Sequence, residues 1–246
     1  MERLDQALLT RGLAESRSKA KAAIEAGAVT VNGKSVLKPA FSVEDGDEVS
    51  VATEQVCPYV SRGGLKLEHA LNAFKISPNG KTAIDVGSST GGFTDCLLQR
   101  GAIRVYAVDS GRMQLAEKLT EDPRVTVMEK YNARFLKRED FDILPELAVM
   151  DVSFISQALL HEPLCNILKT GADFITLIKP QFECGRAALN KKGIVKDEKE
   201  RLFAIEKVCK SAESYGFLHI ATVKSPISGG DGNIEYLAHF RKMCGT

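Results

Sequence analysis

The chain has 246 residues, 44% of them hydrophobic, with 33 Lys and Arg against 32 Asp and Glu, for a net charge of +1. That length suits one large domain, or a small and a medium one, around a buried core. The near-neutral balance excludes a global field that holds polyanions, so any nucleic-acid surface must be local. The start, MERLDQALLT, has neither signal-peptide nor transit-peptide character. No run approaches the roughly 18 to 20 apolar residues that span a bilayer; the most apolar stretch, Leu147 to Leu160, is interrupted by Asp151, Ser153, Ser156 and Gln157. Cys57, Cys96, Cys165, Cys184, Cys209 and Cys244 are scattered, with no Cys-x-x-Cys and no His at ligand spacing. The expectation is a cytoplasmic protein with reduced thiols, no membrane segment, no metal, and a monomeric state.

The first fifty residues predict a small α+β module. A short helix runs from Arg3 through Leu9, and Ser16-Arg17-Ser18 caps a second whose Ala20, Ala23 and Ile24 fall at helical spacing until Gly27 ends it. Val29 and Val31 then alternate into Asn32-Gly33, a two-residue hairpin signal, and Glu44-Asp45-Gly46-Asp47 precedes a strand over Glu48 to Val51. Basic residues dominate positions 3 to 38, with the acids gathered at 44 to 48, so one face is expected to be positive.

The string RLDQALLTRGLAESRSKAKAAIEAGAVTVNGKSVLKP resembles the small RNA-binding domain named after a ribosomal small-subunit protein. The resemblance implies an RNA-facing surface at Arg3, Arg11, Arg17, Lys19 and Lys38. Ala52 to Pro58 lacks periodicity and carries the linker, which divides the chain into residues 1–57 and 58–246.

Beyond the linker, apolar strand-like runs at 82–86, 105–108, 125–128, 148–152, 174–178 and 218–223 alternate with helical patterns near 63–75, 91–100, 111–119, 155–168 and 198–215. That alternation predicts an α/β fold with a mostly parallel, doubly wound sheet. Ligands of such sheets bind beyond the carboxyl ends of the strands, where strand order reverses. The first strand-to-helix turn is therefore the place to look.

There Asp85-Val86 enters Gly87-Ser88-Ser89-Thr90-Gly91-Gly92-Phe93. The glycines let backbone approach a ligand closely, but the loop has neither Gly-x-Gly-x-x-Gly nor Gly-Lys-Ser/Thr. Asp85 is placed to face the sulfonium and amino group of S-adenosylmethionine. Asp109, which ends the next strand 24 residues on, is placed to accept from the ribose hydroxyls. Together these features resemble the first two cofactor motifs of class I (Rossmann-like) methyltransferases. That resemblance assigns Asp85, Gly87, Ser88, Ser89, Gly91, Gly92, Phe93 and Asp109 to the cofactor, and Asn132 to adenine.

For the chemistry, the chain lacks the Asp/Asn-Pro-Pro-Tyr of many exocyclic-amine methyltransferases and a nucleophilic Cys after the fourth strand, having Met150-Asp151-Val152-Ser153-Phe154 instead. It does have Lys66 in SRGGLKLEHAL, Asp151, Lys179 in LIKPQFE, and Glu235 in GGDGNIEYL. Their order and context resemble the Lys-Asp-Lys-Glu tetrad of FtsJ-like ribose 2′-O-methyltransferases. Two ammonium groups near one another and near a sulfonium each disfavour the other's charged form, which suits one of them to act as a base. We assign Lys179 as the base and Lys66 as its positioning partner, although the sequence does not separate the two roles. His69, His161, His219 and His239 share no spacing and are read as surface or half-buried side chains. Lys191, Lys192 and Lys196 follow Arg186 in a polar segment read as either a lid or a solvated loop.

Taken whole, the chain resembles the TlyA, or hemolysin A, family. The resemblance implies methylation of the 2′-hydroxyl of cytidine in ribosomal RNA of assembled subunits, with S-adenosylmethionine as cofactor. Two rivals stand beside it: a membrane-lysing protein, which needs an amphipathic inserting segment, and a non-catalytic RNA-binding assembly factor.

Overall fold

The computed structural model describes residues 2–25, 27–51, 57–229 and 232–243. Linker residues 52–56 and Cys244 lie outside them. The chain divides into two compact units, residues 1–58 and 59–246.

In the first unit, β1 (Glu2–Arg3) leads into α1 (Leu4–Thr10) and α2 (Arg17–Glu25), followed by β2 (Val29–Val31), β3 (Lys34–Ser35), β4 (Ser42–Val43) and β5 (Val49–Val51). Leu4, Ala7 and Leu8 of α1 meet Ala20 and Ile24 of α2 and Val29, Val31 and Val43 in one core. Asn32 and Gly33 sit at φ 50° and 75° between the paired residues Val31 and Lys34, the mirror-image turn that the dipeptide predicts.

The second unit contains α3 (Gly63–Phe74), β6 (Thr82–Val86), α4 (Gly92–Gln99), β7 (Arg104–Val108), α5 (Glu117–Thr120), β8 (Val125–Met128), β9 (Leu147–Met150), α6 (His161–Ile167), β10 (Asp173–Ile178), α7 (Pro180–Glu183), α8 (Glu198–Ser214), β11 (Phe217–Lys224) and β12 (Tyr236–Lys242). Its seven strands lie in the order β11-β12-β10-β9-β6-β7-β8. β6 through β10 are parallel where they pair, and β12 runs antiparallel to both β10 and β11. Strand β6 is buried at every residue, as expected of a strand covered on both faces.

Four sequence expectations are corrected. Strand β12 was not anticipated, because His239 and Arg241 make Tyr236–Lys242 read as surface. In the fold both donate to Asp173, at 3.0 Å each, across the β10–β12 pairing. The helix expected over 111–119 shrinks to α5: Met113 stands at φ 51°, outside helical backbone, and the Glu129 carboxylate holds that turn by taking the amide hydrogens of Met113, Gln114 and Leu115, at 2.5, 2.8 and 3.3 Å. The helix expected over 155–168 is a 3-10 turn at Gln157–Leu159 followed by α6. His161 and His239, read as surface or half-buried, are 0% and 3% exposed. Burial holds His161 down at about 4, so it is neutral in the core.

Asp173 ties the far end of the sheet, accepting from Lys81, His239 and Arg241. Burial raises its pKa, but these hydrogen bonds outweigh that effect and hold the carboxyl well below the usual carboxylate range. Its contribution is therefore present above the unfolded value of about 4 and is lost as pH falls through the folded value. Asp173→Ala is expected to lower stability at pH 7 by about 2 kcal/mol, since it strands the buried His239 while Lys81 and Arg241 can turn to solvent. Urea titrations of both proteins should show the gap narrowing below about pH 4.

Candidate active site

Strand order reverses at β6, which has β9 on one side and β7 on the other, so a crevice opens beyond the carboxyl ends of β6 and β9. Gly87 leaves β6 at φ 83°, and a Cβ there would stand 2.5 Å from the carbonyl oxygen of Asp151, which follows β9. Gly92 opens α4, where a Cβ would collide with Ser61 Oγ. These two positions require glycine for close approach. Gly91, at φ 94°, faces Leu115 and Leu119 instead, so its role is to pack the loop.

Two cavities meet at this crevice. One, of about 310 Å³, is lined by the turn Ser61–Gly63, by Lys66, Asp151, Ser153 and Lys179, and by Gly87, Ser88, Ser89, Thr90, Gly92 and Phe93 of the loop. The other, of about 380 Å³, is lined by Asp109, Gln114, Tyr131, Asn132 and Phe154, among others. Gly87, Ser89, Asp151 and Ser153 border both, so the two are lobes of one site.

Three of the four residues read as a tetrad line the first lobe, and the fourth touches one of them. Lys66 Nζ donates to Glu235 Oε2 at 2.5 Å, joining α3 to the segment before β12. Both side chains are nearly buried, at 11% and 3% exposed. Lys179 Nζ stands 2.6 Å from Asp151 Oδ1, but off the direction of a hydrogen bond; its donated bond goes to Ser153 Oγ at 2.8 Å. The arrangement is two ion pairs on one wall, each lysine held by its own carboxylate. A ligand bound there meets two directed amine groups rather than mobile side chains.

Asp85 does not line either lobe. It is fully buried beneath the loop, with Oδ2 accepting from Thr94 Oγ1 at 2.7 Å and Oδ1 left without a hydrogen-bond partner. Burial raises its carboxyl to about 7, the Thr94 bond opposing and the charge of Asp151 adding. Asp109 does line the second lobe, its oxygens aimed by the amides of Ser89 and Gly111 at 2.8 and 2.6 Å. Asn132 lines the same lobe while its side chain accepts from Arg134 N. An elongated ligand with a cationic part and a nucleoside part fits this donor set. A glycine turn with no room for Cβ, an unsatisfied buried carboxylate oxygen beneath it, and an oriented acid in the adjoining lobe all suit such a ligand.

A model of the FtsJ-like methyltransferase family matches residues 59–242, and an S4 domain model matches residues 2–49. TlyA of Mycobacterium tuberculosis, a 16S/23S rRNA (cytidine-2′-O)-methyltransferase, is 41% identical over 97% of this chain and 89% of its own. The chain belongs to the TlyA-type FtsJ-like methyltransferase family. Hemolysin A of Brachyspira hyodysenteriae is 44% identical, covering 97% and 99%. A solved structure from Streptococcus thermophilus that carries a hemolysin name superposes with a TM-score of 0.78 at 46% identity, covering 98% of this chain and 88% of that one. The FtsJ-like unit is thus a methyltransferase domain, and no helix among the described residues is long and apolar enough to cross a membrane. No group of three or more His, Cys, Asp or Glu among them is placed to hold a metal ion.

Several supports of the FtsJ-like site escaped sequence reading. Ser153 lies inside the quoted MDVSF string yet drew no assignment, and only the fold puts it on Lys179. Thr94, Glu129 and Gln114 carried no assignment at all. In the S4 unit, four of the five cations assigned to RNA have intramolecular partners. Arg3 and Arg17 both bond to the buried Asp5, and the Arg3 hydrogen bond leads in holding that carboxyl down at about 2. Arg11 donates to the carbonyls of Asp47 and Glu44, Lys19 pairs with Glu15, and Lys38 is exposed. Arg3 and Arg17 remain 49% and 61% exposed, so these pairs orient the guanidinium groups without burying them.

Proposed function

We propose that this chain transfers a methyl group from S-adenosylmethionine to the 2′-hydroxyl of a cytidine in ribosomal RNA, with Lys66, Asp151, Lys179 and Glu235 as the reacting wall. The observation that carries the reading is the pair of lysine–carboxylate contacts on the lobe bounded by the glycine loop. Two amines suit a hydroxyl acceptor, which must be aligned and must lose one proton. The cofactor supplies an electrophilic methyl on a cationic sulfur. The loop from Gly87 to Phe93 would hold its amino-acid end, Asp109 its ribose, and Asn132 its adenine.

In this reading, Lys66 donates to the ribose oxygen and is aimed by Glu235. The proton leaving the 2′-oxygen is taken up by the Lys179–Asp151 pair, which Ser153 helps to aim at the substrate. Arg3, Arg11, Arg17, Lys19 and Lys38 of the S4 unit contact phosphates and set the register without reading bases. Phe154, 91% exposed at φ 64° and tilted on Phe182 at 5.1 Å, offers an apolar face at the cavity rim. The test is transfer of tritiated methyl to separated small and large ribosomal subunits, followed by mapping of the product. Label on a ribose 2′-oxygen of cytidine is expected, and label on a base or on protein overturns the proposal.

Asp85 adds a pH signature. With its carboxyl near 7, the neutral form dominates in the empty site below that value. A cationic cofactor favours the ionised form, so binding releases a proton and tightens as pH rises through 7. Titration calorimetry should show affinity rising by up to about tenfold between pH 6 and 8. Asp85→Asn should remove that component; equal pH profiles for the two proteins would sink this role.

A further inference from the structure

We infer that Glu183 is a positioning residue for the Asp151–Lys179 pair, a buried clamp joining the segments that carry those two side chains. The inference rests on the tetrad reading above and extends it to a group outside the cavity. Asp151 and Lys179 each lie one residue past the end of their strand, β9 and β10. Pairing between β9 and β10 ends at Met150 and Thr176, and although Asp151 N still donates to Val86 O on β6 at 2.9 Å, the segment that follows Asp151 needs another tie to the one that carries Lys179.

Glu183 supplies that tie. Its carboxylate, 1% exposed, accepts from Ser156 Oγ at 2.7 Å and from Gln157 N at 2.8 Å, pinning the turn that follows Asp151 to α7, which begins immediately after Lys179. Gln157 carries the tie onward, donating to the Leu177 carbonyl at 2.7 Å and accepting from Thr176 Oγ1 at 2.7 Å, both on β10. Lys207 of α8 compensates the buried charge, with Nζ at 3.5 Å from the carboxylate and donating to the Glu183 carbonyl at 2.8 Å. A buried ionised group is tolerated only when paired and fully bonded. The chain spends such a group where a loop bearing one reacting side chain must keep a fixed distance from another. Glu183 lines neither lobe of the site, so it acts through Asp151 and Lys179 and not on substrate.

The test uses the full chain, with methyl transfer to ribosomal subunits, cofactor calorimetry, and hydrogen exchange of the peptide covering 152–159. Glu183→Ala should lower kcat by about 10²-fold through misplacement of the pair. KM for subunits and cofactor affinity should stay within about threefold of the wild type, since neither binding surface includes Glu183. Exchange over 152–159 should accelerate at least about tenfold while residues 82–99 stay unchanged. Glu183→Gln can still accept from Gln157 N and donate to Ser156 Oγ, so kcat should recover to within about threefold of the wild type. If Glu183→Ala does not fold, Ser156→Ala decides, with a kcat loss of about fivefold expected from one lost contact. The inference is overturned by unchanged kcat in the alanine variant that folds, by unchanged exchange over 152–159, or by cofactor affinity falling in step with kcat. Wild-type chain that labels no ribose overturns the reaction instead, and the exchange measurement still judges the clamp.

Discussion

Replacing Lys179 with alanine is expected to cut methyl transfer by about 10²- to 10⁴-fold, the usual worth of a positioned acid–base group. Cofactor affinity should change by less than about threefold, because transition-state interactions are lost while ground-state binding is kept. The reason lies in the geometry of the pair. Lys179 Nζ is held 2.6 Å from Asp151 and 2.8 Å from Ser153 and makes no hydrogen bond to the glycine loop, so removing it leaves that loop intact. Calorimetry and single-turnover methylation on the same preparation check both halves. Retained turnover would remove Lys179 from the chemistry, and a parallel loss of cofactor binding would make it a binding residue. Lys66→Ala, measured beside it, separates the two amines: the base should carry the larger loss in the chemical step.

The second large effect is expected at Gly87. At φ 83° an alanine costs about 1 kcal/mol in backbone strain, and its Cβ would stand 2.5 Å from the Asp151 carbonyl, which is main chain and cannot rotate away. The loop and the end of β9 must therefore move apart, disturbing cofactor cradle and reacting wall together. Cofactor affinity should fall at least about tenfold and turnover with it, since sub-ångström placement matters for both. Gly80→Ala supplies the control. It has φ 73° with open space around it, so it carries the backbone strain alone. Thermal melting should register the backbone cost alone in Gly80→Ala and a larger loss in Gly87→Ala, and only Gly87→Ala should lose cofactor. Equal affinities would mean that the close approach has no bearing on the site.

Much of this site was legible in residue order because its pieces are local. The glycine turn after β6 and the positions just past β9 and β10 follow from alternation of strand and helix, which places ligand groups at strand ends. The Asn32-Gly33 hairpin and the core of the S4 unit follow from period and turn chemistry in the same way. What escaped was everything decided by a partner far along the chain. β12 was hidden because the polarity of His239 and Arg241 is compensated by Asp173 on the neighbouring strand. The helix over 111–119 gives way to a turn at Met113, φ 51°, whose three amides Glu129 holds from 14 to 16 positions along the chain.

By itself, the sequence determined the two-part architecture, the place of the glycine loop after β6, and the four polar residues worth testing, because short-range pattern encodes strands, turns and their ends. Only the tertiary structure decided which lysine belongs to which acid. Lys66 meets Glu235 across 169 positions, and Lys179 meets Asp151 across β9 and β10. It also moved Asp85 out of the cavity wall and into the core beneath it, and brought Ser153 to Lys179. Side-chain pairing and burial depend on which strands become neighbours, and strand order is a property of the packed sheet rather than of any stretch of residues.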